Sequence, residues 1–146
     1  MRRDDRGESL IELLIALSIM GTAVVALAAG LVTSVTVSDI HRKQATAQQY
    51  VRGYAEAIEN TVAGGGYVGC ATTASYASPN GFSVPTGYTK SVAAVKYWTG
   101  SAWSTSCGTD SGLQQVTTVV SSVDGRASER LVVVVRKPCG PGSSCT

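Results

Sequence analysis

Gly7-Glu8-Ser9-Leu10-Ile11-Glu12-Leu13-Leu14-Ile15-Ala16-Leu17 is the stretch on which the reading of this chain turns. On its N-terminal side, residues 1–7 hold Arg2, Arg3 and Arg6 against Asp4 and Asp5, a local charge of +1. On its C-terminal side the 26 residues from Leu13 to Ser38 carry no charge at all. As a helix they span about 39 Å, enough to cross a hydrocarbon core of about 30 Å. Soluble helices seldom run this far without a charged face. The segment therefore reads as a membrane span, and the basic bias before it favours a cytoplasmic N-terminus with the rest of the chain outside.

A secretory signal peptide is the competing reading. Ala26-Leu27-Ala28 fits the small-x-small rule for cleavage after Ala28. Apolar character nevertheless persists to Val37 and passes into a helical pattern, with no proline before Pro79. Under this alternative the product is a secreted or singly anchored extracellular binding domain.

The junction resembles the processing signature of type IV prepilins and type II secretion pseudopilins. The resemblance rests on a short charged leader, Gly7, Ser9-Leu10-Ile11, the lone acid Glu12, and the apolar run that follows in register. It covers residues 1 to about 60. It implies that a prepilin peptidase cuts between Gly7 and Glu8, that Glu8 is then N-methylated, and that the apolar helix stays in the mature subunit. An assembly platform and an ATPase are implied as indirect partners, other pilin subunits as direct ones. The family usually begins its mature chain with Phe or Met, whereas this chain offers Glu8. An acid beside the terminal amine favours a low-abundance minor subunit over the bulk pilin.

Glu12 has its own physical logic. A carboxylate costs about 2.5–3.5 kcal/mol at the centre of a bilayer and less near its edge. Cleavage after Gly7 creates a cation of the right kind, an α-amine about 6 Å away along the same helix. Paired with a neighbouring subunit's amine at 4 Å, Glu12 contributes of the order of 4 kcal/mol at an effective dielectric of 20. As the alternative, Glu12 is an interfacial anchor.

Further along, Val51, Tyr54, Ala55, Ile58 and Val62 fall at i, i+3, i+4, i+7 and i+11, one apolar stripe with Arg52, Glu56 and Glu59 off it. One helix is thus expected from about Glu8 to Val62, ended by Gly64-Gly65-Gly66. The expected organisation is a leader (1–7), a transmembrane or filament-core helix (8–38), its amphipathic continuation (39–63) and an extracellular β-rich domain (64–146). The fold class is α+β and pilin-like: a long N-terminal helix on a small antiparallel sheet. Candidate strands are Ser91–Trp98, Ala102–Ser104, Val116–Val123 and Leu131–Lys137, with Asp124-Gly125 as the hairpin turn between the last two. The run Val132–Val135 lacks alternation, which predicts cover on both faces.

With only 15% of residues charged and a net charge of +2, the chain is neither a strongly basic nucleic-acid binder nor an acidic disordered tail. The only histidine, His41, sits beside Arg42 and Lys43 and reads as a solvated residue past the membrane. There is no phosphate loop, nucleophile elbow or paired catalytic carboxylates, so no enzymatic activity and no cofactor are expected. Four cysteines allow three pairings. The flexible Gly-Pro-Gly between Cys139 and Cys145 favours that pair, which leaves Cys70 with Cys107. Zinc is the alternative, but no Cys-x-x-Cys spacing supports it. Tyr97, Trp98 and Trp103 cluster with Lys90 and Lys96. They form either an aromatic cross-strand pair packing the core or a platform for single-stranded nucleic acid.

Overall fold

The computed structural model describes residues 8–139. A single α-helix, α1, runs over Glu8–Thr61. Four strands follow: β1 (Tyr88–Trp98), β2 (Trp103–Ser104), β3 (Leu113–Ser122) and β4 (Ser128–Arg136). The chain divides into two units, one through Asp39 and one from Ile40 onward.

In the N-terminal unit the side chains from Leu10 to Val37 are exposed around the whole helix. In the C-terminal unit the apolar stripe of α1 is buried. Ala47, Val51, Tyr54, Ala55, Ile58 and Val62 share one core with Val92, Val95, Val116, Val120, Val133 and Val135 of the sheet. The helix ends through a π-helical turn, Val62–Gly66, in which Gly65 takes φ 94°. Only glycine enters that conformation without a steric penalty.

The sheet is antiparallel with order β2-β1-β3-β4. Strand β1 opens three residues before its expected start, and a register shift between Val92 and Ala94 marks a bulge. Strands β3 and β4 form the hairpin expected at Asp124-Gly125, with Gly125 at φ 71°. Lys43 of α1 pairs with Asp124 in that turn, so the turn is tied to the helix. The expectation for Val132–Val135 is corrected. Val133 and Val135 are buried, whereas Val132 and Val134 are 49% and 48% exposed. The sequence is uniformly apolar there, but the strand is covered on one face only.

Residues 67–87 lie between helix and sheet without regular strand structure. A loop this long normally needs its own fastenings, and tyrosines supply them. The Tyr54 hydroxyl lies 3.0 Å from the carbonyls of both Tyr76 and Ala77. The Tyr97 hydroxyl donates to Ala71 O at 2.7 Å. Lys90 Nζ donates to Ala77 O at 2.6 Å and sits 5.1 Å over the Tyr54 ring, a cation–π contact. Phe82 stacks on the same ring at 5.2 Å. Burial pushes the Tyr54 phenol up to about 12.

Candidate functional site

The candidate site is the first part of α1. Leu10, Leu14, Leu17, Leu27 and Leu31 are each more than 60% exposed, and the apolar residues on the other sides of the helix are exposed as well. Soluble monomers rarely expose contiguous apolar patches beyond a few hundred Å², so this surface requires lipid or other protein around it. Mean hydropathy reaches 2.4 here, and this is the one helix among the described residues long and apolar enough to cross a membrane.

The polar groups inside the segment are prepared for such surroundings. Ser18 Oγ donates to Leu14 O at 2.8 Å, and Thr22 Oγ1 to Ile19 O at 2.9 Å. Thr33 and Thr36 donate to the carbonyls of Ala29 and Val32, both at 3.0 Å. Each of these four hydroxyls is satisfied by its own helix, so none of the four needs water.

Glu12 is the exception. It is exposed on this surface, and no other charged residue lies between it and Asp39. It falls one turn after Glu8, the first residue of α1, and a one-turn spacing places two positions on the same helical face. Gly7 lies outside the described residues, so the expected cleavage falls at their edge. The helix passes through Ala26-Leu27-Ala28 without a break.

The aromatic cluster expected in the C-terminal unit is divided by the sheet. Tyr97 is buried in the core. Trp98 and Trp103 pair across β1 and β2 with centroids 5.3 Å apart, and both remain partly exposed. The cross-strand pair exists, but it does not pack the core. Lys90 turns inward to Tyr54, away from the tryptophans. Period-two alternation separates side chains that are neighbours in sequence.

Cys70 and Cys107 form a disulfide, their Cα atoms 5.6 Å apart. Cys139 is also disulfide-bonded; the last cysteine, Cys145, lies outside the described residues. Among the described residues, no group of three or more His, Cys, Asp or Glu is placed to hold a metal.

One constellation gave no sequence signal. Asp110 Oδ1 accepts from the Tyr67 hydroxyl (2.7 Å) and from Gly112 N (2.8 Å). Its Oδ2 accepts from Cys70 N (2.7 Å) and from Gln114 Nε2 (3.0 Å). Gln114 is fully buried and also donates to Val68 O, while Tyr76 donates to its Oε1. Burial pushes the Asp110 carboxyl upward, but the donors from Tyr67, Cys70, Gly112 and Gln114 outweigh it and hold it below its ordinary value. Tyr67 is raised, first by burial and then by Asp110. The knot locks the start of the loop and the Cys70 side of the disulfide onto β3.

Residues 2–28 match the family model described as the prokaryotic N-terminal methylation motif, the prepilin-type cleavage and methylation signal. Neither a curated protein nor a solved structure matches the chain. The motif and the layout agree: one long apolar N-terminal helix and a small four-stranded antiparallel sheet make an α+β, pilin-like protein.

Proposed function

We propose that this protein is a structural subunit, a minor pilin or pseudopilin, of a type IV pilus or a type II secretion-like filament. It inserts with its N-terminus inside and its C-terminal domain outside. Prepilin peptidase removes residues 1–7, and Glu8 is N-methylated. The apolar helix then passes from the membrane into a filament core, drawn by a platform protein and an ATPase. Glu12 meets the terminal amine of a neighbouring subunit and sets the axial register. The observation that carries this reading is the coincidence of the methylation motif at 2–28 with a helix apolar on every side. Such a helix needs lipid first and is then suited to exchange lipid for identical or related helices. Glu8 at the mature N-terminus favours the minor role, because its carboxylate competes for its own amine.

The test is the intact mass of the full chain expressed in membranes with and without prepilin peptidase. The expected product begins at Glu8 and carries one added methyl, only when the peptidase is present. Gly7→Glu should keep the leader attached. A product beginning at Ala29 would instead establish the signal-peptide alternative.

A further inference from the structure

Strand β4 stands at the edge of the sheet. Its hydrogen bonding to β3 can be phased from both ends. Ser122 N donates to Ala127 O at 2.8 Å, and Lys137 N donates to Gly112 O at 2.8 Å. Between those ends the register pairs Val120 with Glu129, Thr118 with Leu131, Val116 with Val133 and Gln114 with Val135. In an antiparallel ladder every second residue bonds to its partner strand. The residues bonded to β3 are therefore Glu129, Leu131, Val133 and Val135. The N–H and C=O groups of Ser128, Arg130, Val132, Val134 and Arg136 are directed away from β3. All five residues are exposed, and their outward groups have no hydrogen-bond partner among the described residues.

An edge of this kind is a template for another strand. Its side chains restrict which strand. On the exposed face, Arg130 and Arg136 bracket Val132 and Val134 at two-residue spacing. A second copy of β4 laid antiparallel would put four arginines on one small patch with no acid of that face to offset them. Like charges across strands disfavour pairing, and opposite charges favour it.

The geometry points to β4 as a strand-addition site for an extended segment of another protein with the pattern acidic-x-apolar-x-apolar-x-acidic. The added strand continues the sheet as a fifth member. Its apolar residues cover Val132 and Val134, and its acids meet Arg130 and Arg136. The backbone ladder supplies affinity, and the two arginines supply the choice of partner. This surface lies in the unit from Ile40 onward, so the inference stands whether or not residues 1–7 are removed.

The probe is a fluorescent peptide, Thr-Glu-Thr-Val-Thr-Val-Thr-Glu-Thr, titrated against the full chain in detergent micelles and followed by anisotropy. A counterpart with lysine in place of both glutamates is the control. The acid-ended peptide should bind about tenfold more tightly than the lysine-ended one, from two cross-strand charge pairs. The double change Arg130→Glu plus Arg136→Glu should reverse that preference. Val132→Pro removes an outward N–H without touching the β3 ladder and should abolish binding of either peptide. Equal binding of the two peptides, or an unchanged preference in the charge-reversed chain, would overturn the proposal. So would self-association of the chain that Val132→Pro dissolves while neither peptide binds, since β4 would then serve a second copy.

Discussion

Glu12 and Asp110 are both single carboxylates, and their settings give them different work. Glu12 is the last charge before Asp39, at the start of an otherwise uncharged helical surface. Glu12→Leu makes that surface more apolar, so membrane insertion should be undiminished. On the proposed pairing of Glu12 with a neighbour's amine, recovery in sheared filaments, normalised to the membrane level, should fall, because that amine would lose its desolvated partner. The double change Glu8→Ala plus Glu12→Leu should be worse than either alone if the two acids share the amine; wild-type recovery of the double mutant would reduce Glu12 to an interfacial residue. Asp110 acts inside its own fold. Four donors converge on its two oxygens. Asp110→Asn turns one oxygen into a donor and leaves two donors facing it unsatisfied, at about 1–3 kcal/mol. The melting temperature at neutral pH should drop by roughly 10 °C. The carboxyl is held below its ordinary 3.8, so its stabilisation is complete above that pH and is lost as pH falls through the lower folded value. Melting curves of the two proteins should accordingly converge as the pH falls below 3.8 and through the lower folded value, and a gap independent of pH would contradict the charge-based account.

Strand β4 shows how an element's neighbours decide what its residues do. Leu131-Val132-Val133-Val134-Val135 has no polar residue to mark a face, and alternation emerges only because one side meets the core. Val133→Ala and Val135→Ala each leave a gap in that core and should cost about 1–3 kcal/mol in urea unfolding. Val132→Thr and Val134→Thr should stay within about 0.5 kcal/mol of the original. If all four cost the same, the strand is covered on both faces after all. The aromatic residues of β1 carry the same lesson. Tyr97 and Trp98 are adjacent, yet one fastens Ala71 within the core and the other pairs with Trp103 outside it.

Among the described residues the uncovered apolar surface is concentrated in the unit that ends at Asp39, while the core and the Cys70–Cys107 cross-link belong to the unit from Ile40. A fragment comprising residues 40–146 keeps the buried stripe of α1, the sheet and the Cys70–Cys107 disulfide, whose closed loop stabilises by about 4 kcal/mol in the chain-entropy view. It should be soluble, monomeric and cooperatively folded without detergent. Aggregation, or loss of cooperative melting, would mean that the first half of the helix is needed for folding and not only for anchoring.

Local chemistry was sufficient for the long helix, its stripe, its glycine stop and the Asp124-Gly125 hairpin, because each depends on residues within a few positions of one another. The N-terminal methylation motif at residues 2–28 is likewise a short linear pattern, read without any fold. The Asp110 knot, the tyrosine fastenings of residues 67–87 and the single covered face of β4 depend on residues brought together from distant parts of the chain. Tyr67 and Asp110 are 43 positions apart and Lys43 and Asp124 are 81 apart, and no periodicity in sequence encodes such encounters. Burial behaves the same way: whether a valine is core or surface is set by what packs against it, and that is a property of the folded chain.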